Sequence, residues 1–134
     1  MNQKVTLIIT SLLSMLLLTF HLADDITRGF EKGGLSNLTA VPIVVVWLCG
    51  TLVLAERRSG YVIILLASLL GLAVPVIHMK GKGIGEIARS SGGFFFAWTI
   101  LAIGVTALFS VILCVLGLWR TSGRTGLAPR SSSQ

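Results

Sequence analysis

FFFAWTILAIGVTALFSVILCVLGLW, residues 94–119, is a run without one charged side chain, and its reading decides the fold. As a helix rising 1.5 Å per residue it reaches about 39 Å, more than the ~30 Å of hydrocarbon in a bilayer. A chain in hydrocarbon has no water to satisfy its backbone, so a spanning segment of this kind is helical. Phe94, Phe95, Phe96 and Trp98 at one end and Trp119 at the other read as the two aromatic belts of a transmembrane helix.

The rest of the chain agrees with that run. Of 134 residues, 54% are hydrophobic and only 12% charged, against roughly 25% charged in an ordinary soluble domain. Mean hydropathy is +0.90. The net charge of +6 would suggest nucleic acid in a soluble protein, but the Lys and Arg residues lie at the ends of apolar runs. They read as topological anchors and as partners for anionic lipid headgroups, which leaves no nucleic-acid reading. Cys49 and Cys114 fall inside apolar runs, where a thiol is a small buried hydrophobe and implies no disulfide scaffold.

Three further runs precede the fourth. VTLIITSLLSMLLLTFHLA, residues 5–23, is followed at once by Asp24 and Asp25. A charged start before an apolar centre also describes a secretory signal peptide, but cleavage after Ala23 would put His21 where a small residue is wanted, so a retained helix is expected. Residues 40–55 form the shortest run, introduced by Ser36, Asn37 and Thr39 as capping candidates and by Pro42 in the first turn. Ser59 and Gly60 alone separate the charged end of that run from the third, residues 61–79, which forces the two to be antiparallel neighbours. Pro75 should kink the third helix. The glycine-rich connection KGKGIGEIARSSGG, residues 80–93, has neither spacing of a nucleotide-binding loop and no strand before it. The expected architecture is therefore all-α, an integral membrane antiparallel four-helix bundle over residues 1–119, with a disordered polar tail at 120–134.

Four crossings put both termini on one side. That side carries Lys4, Arg57, Arg58, Arg120, Arg124 and Arg130, while Arg28, Lys32, Lys80, Lys82 and Arg89 lie opposite. Six against five leans towards cytoplasmic termini, as expected for a bacterial inner membrane. Asp24, Asp25, Glu31 and Glu86 are all opposite the termini.

Helices in lipid associate through small residues that let backbones approach and through polar groups that bond across. Gly93, Ala97, Ile100, Gly104, Ala107, Val111 and Cys114 form such a face on the fourth helix, and Gly60, Ile64, Ala67, Gly71, Val74 and His78 form one on the third. On the first helix Thr10, Ser14, Leu17, His21, Asp24 and Asp25 share about a third of the circumference. The first and third helices run the same way, so His21 and His78 belong to one surface, with Asp24, Asp25 and Glu86 at similar depth.

This is the constellation that carries chemistry. Imidazole and carboxylate together suit a divalent metal such as zinc, iron or copper, with His21, Asp24, Asp25 and His78 as candidate ligands. Two histidines on separate helices would equally suit the axial positions of a haem, making His21 and His78 cofactor ligands. The same groups would also serve as a proton relay. The plain alternative is that both histidines are interfacial and the aspartates open a solvated loop. No catalytic nucleophile, HExxH or paired-cysteine motif names a reaction, so an enzyme is not the expectation.

Three functions compete. A small exporter of the multidrug-resistance type would carry a carboxylate in the middle of its first helix, where this chain has IITSLLSMLLL, and no helix centre holds a charge, which leaves, within the transport class, a small oligomeric transporter with a pore lined by Thr and Ser. A metal, haem or proton protein would use the His and Asp cluster. A structural or accessory subunit, packing on a partner or on its own copies through small-residue faces, asks least of the sequence and is the expected role.

Overall fold

The structure is a computed structural model, and its described residues are 2–29, 34, 38–80, 89 and 91–124, with 79, 80, 123 and 124 described as backbone. Among them every regular element is helical: α1 (Gln3–Thr27), α2 (Ala40–Leu52), α3 (Arg58–Lys80) and α4 (Gly93–Arg124). The protein is an integral membrane antiparallel four-helix bundle. Ser36, Asn37, the connection over 81–88 with Glu86, and residues 125–134 lie outside the described residues.

Each helix departs from its apolar run for a local reason. α1 starts at Asn2, whose side chain accepts the Lys4 N–H at 3.3 Å. It continues one turn beyond Ala23, through Asp24 and Asp25, and stops where Gly29 takes a positive φ of 74°. Charges end a hydrophobic run but not a helix, and glycine ends this one. α4 likewise runs past Trp119 to Arg124, so residues 120–124 are helical and not part of the tail.

Gln3–Thr27, Arg58–His78 and Gly93–Ser122 are long and apolar enough to cross a membrane. The expected fourth span over 40–55 is shorter in the fold: α2 has 13 residues, about 20 Å of helix. Residues after Leu52 form a turn closed by Leu54 N–H to the Cys49 carbonyl at 3.1 Å and Arg57 N–H to the Leu54 carbonyl at 2.8 Å. That turn lets α3 begin at Arg58, and it needs glycine at 60, where a Cβ would collide with the Leu54 carbonyl. Glu56 in this turn pairs with Lys4 at the start of α1, and that hydrogen bond holds the Glu56 carboxyl below its ordinary range.

The helices stand in a ring in the order α1, α2, α3, α4, with α4 packed most extensively on α3 and α1. Phe20, Leu70, Trp98, Leu108 and Trp119 face outward and are exposed. The predicted small-residue faces point inward: Gly71 meets Ala107, where a Cβ would stand 3.2 Å from the Ala107 Cβ, and at Gly104 it would stand 3.0 Å from the Pro75 ring. Polar bonds join α1 to its neighbours. Trp47 Nε1 donates to Ser11 Oγ at 2.8 Å, Ser11 and Thr51 hydroxyls lie 2.7 Å apart, and Ser110 Oγ donates to Thr10 Oγ1 at 3.1 Å.

Because α3 and α4 meet through these glycines, Gly71→Leu and Gly104→Leu should each cost about 1–3 kcal/mol, read as a lower thermal-unfolding midpoint in detergent. Unchanged midpoints in both variants would put the glycines at lipid instead.

Candidate metal site

His21 lies in the penultimate turn of α1 and His78 at the end of α3, and the parallel course of the two helices brings their rings to a centroid distance of 4.9 Å, edge to face. The extra turn of α1 places Asp25 four residues after His21 on the same face. His21 Nε2 is 3.5 Å and His78 Nε2 is 3.9 Å from the same Asp25 oxygen, Oδ2. One ligand atom from each of His21, Asp25 and His78 lies within 4.8 Å of the others. His21 is 3% exposed and Asp25 7%.

These separations are too long for strong hydrogen bonds. The two nitrogen–oxygen separations are near the roughly 3.3 Å between ligand atoms that bond lengths of about 2.0–2.1 Å produce in a tetrahedral site, and the wider spread of the three ligand atoms, up to 4.8 Å, would have to contract round an ion. Neither ring nitrogen of His21 has a hydrogen-bond partner among the described residues. His78 Nδ1 lies 2.9 Å from the Val74 carbonyl, to which it donates. That bond selects the tautomer whose Nε2 presents a lone pair to the cluster, the usual way a protein orients a histidine ligand.

Compared with known proteins, the chain matches no family model, no curated protein and no solved structure. The chemistry of the cluster is therefore its own guide.

Of the four residues expected to ligate, three converge and Asp24 turns away. One residue along a helix is 100° of rotation, and Asp24 Oδ2 accepts from Arg28 Nε at 2.7 Å. Haem is poorly served: the two rings touch edge to face, and Phe96 packs on both at 5.2 and 5.5 Å, leaving no slot for a macrocycle between them. By sequence alone Phe96 belongs with Phe94, Phe95 and Trp98 in an interfacial belt. Phe96 is instead fully buried while Phe94 is 78% exposed. Its place was visible as the residue four before Ile100 on the packing face of α4, just as the Asp24–Arg28 pair was visible as an i, i+4 spacing.

Removing the ring that both imidazoles rest on leaves a cavity, so Phe96→Ala should lose on the order of 3 kcal/mol, while Phe94→Ala at the lipid surface should lose little. Reversible unfolding in mixed detergent measures both, and equal losses would contradict the asymmetry.

Proposed function

We propose that this small polytopic membrane protein binds one divalent transition metal, of the zinc, iron or copper class, through His21, Asp25 and His78 at the end of the bundle away from its termini. The observation that carries this reading is the convergence of two imidazoles and one carboxylate, with ligand atoms within 4.8 Å of one another, in the interior of a membrane bundle. An ionisable cluster inside a membrane protein is costly to keep and marks function more often than packing. A metal would satisfy one of the two unbonded His21 ring nitrogens, and neutral imidazoles with one carboxylate suit a borderline cation.

Three protein ligands leave a fourth position open. Closed structural zinc sites use four, whereas sites that exchange ligands or activate water keep one free, so the donor count favours metal handling over a purely structural ion. With the termini in the cytoplasm of a bacterial inner membrane, the site would face the extracytoplasmic side and meet metal there.

The accessory-subunit reading has less support. The small-residue faces on which a partner would dock are occupied within the chain, Gly71 by Ala107 and Ile103 and Gly104 by Pro75. That role also leaves the inward imidazoles without a purpose.

Purified in detergent and loaded with excess Zn²⁺, the protein should retain about one zinc per chain after desalting, by elemental analysis. The His21→Ala, His78→Ala and Asp25→Asn variants should each lose most of it, and Co²⁺ in its place should give visible ligand-field bands. Zinc retained by all three variants, or by none of the proteins including wild type, would overturn the proposal.

A further inference from the structure

Residues that take no part in coordination flank the ligands, burying His21 and Asp25 and leaving 26% of the His78 side chain exposed. Phe96 packs on both imidazoles, and the Arg28 guanidinium lies over the same ring, Cζ 5.8 Å from its centroid. Arg28 is pinned from three directions: its Nε donates to Asp24 Oδ2 at 2.7 Å, its Nη1 donates to the Ser91 carbonyl at 3.3 Å, and its Nη2 sits beside Gly92. A Cβ on Gly92 would stand 2.7 Å from that nitrogen, and Gly92 has a φ of 72°. Arg28 and Asp24 side chains are only 17% and 15% exposed at a surface where charges ordinarily reach into water. On the other side of the cluster, towards the termini, the bundle interior is filled by Met15, Ile100 and Ile103.

We infer that the Arg28–Asp24 pair is a latch across the metal site, holding the end of α1 against the start of α4, and that its opening sets how fast metal exchanges with the non-terminal aqueous side. This rests on the metal reading of His21, Asp25 and His78. The physics has two parts. A hydrated dication cannot pass the apolar side of the bundle, so it arrives from the non-terminal end, where the Arg28 side chain held over Phe96 obstructs its approach. When Arg28 swings away, Asp24 is released one residue from the ligand Asp25, and its carboxylate offers the arriving cation a first contact. Closed, the latch is a neutral pair that adds no net charge beside the bound metal. The two neighbouring aspartates thus divide the work, Asp25 as ligand and Asp24 as the group that either holds the latch or meets the cation.

The test compares rates in full-length protein. Wild type, Arg28→Gln and Asp24→Asn are loaded with Co²⁺ and challenged with excess chelator, and uptake is followed after mixing the metal-free proteins with Co²⁺. Arg28→Gln should release and take up metal about tenfold faster than wild type, a change of about 1.4 kcal/mol in barrier height, with the ligand-field spectrum unchanged. Asp24→Asn should speed release but not uptake, because the first-contact carboxylate is gone. A loosened fold would not produce that asymmetry. Gly92→Ala, which pushes a methyl into the guanidinium seat, should speed release with both charges kept and stands in if Arg28→Gln does not fold. Wild-type rates in Arg28→Gln and Gly92→Ala, or equal acceleration of uptake in Asp24→Asn and Arg28→Gln, would overturn the latch while leaving the metal site intact. Failure of wild type to load Co²⁺ would overturn the metal reading itself.

Discussion

The contact on which the rest of this molecule depends is the approach of α3 to α4 through Gly71 and Gly104. Lipid tails are as apolar as leucine, so two helices gain nothing by hiding apolar surface from each other and must gain by packing closely. Gly71 opposite Ala107 and Gly104 opposite Pro75 supply that closeness at two points along the helices. Two points fix a register. With 71 set against 107 and 75 against 104, the chain has no freedom left at 78, and His78 comes to rest 5.5 Å from Phe96.

α1 joins the same arrangement by different means. It has no glycine, and its inward face is hydroxyl-bearing, so it binds its neighbours through Ser11 with Trp47 and Thr51 on α2 and through Thr10 with Ser110 on α4. In hydrocarbon a hydroxyl without a partner is costly, so these bonds specify which face of α1 looks inward. His21 lies one further step along that face, and its ring meets the same Phe96 at 5.2 Å. Phe96 is thus the floor on which two independently positioned helices deliver their histidines, and the cluster follows from packing decided several turns away.

The site also shows how little rotation separates two roles. Asp24 and Asp25 have the same chemistry and adjacent positions, yet 100° of helical turn sends one to Arg28 and the other to the imidazoles. Neither role exists unless α1 stays helical beyond its apolar run. Gly29, with its positive φ, follows immediately after Arg28, whose guanidinium lies over the Phe96 ring.

The amino-acid sequence by itself determined that the chain is helical and lives in a bilayer, because run length and charge placement answer to the thickness of hydrocarbon and to the backbone's need for internal partners. It also determined which faces look inward, since the 3.6-residue period leaves Gly71, Gly104, Ser14 and His21 on stripes of their own kind, and it set His21 and Asp25 one turn apart. Helix ends were less legible: hydrophobicity stops at Ala23 and Trp119 but hydrogen bonding does not, and α2 closes early into a turn that sets the Leu54 carbonyl against Gly60. Only the tertiary structure decided that His78 reaches Asp25, that Asp24 leaves the cluster for Arg28, and that Phe96 is buried beneath both imidazoles instead of facing the headgroups. Periodicity along one helix gives direction around its own axis, whereas the identity of the neighbour at each height depends on register between helices, and register is set by contacts between residues far apart in the chain.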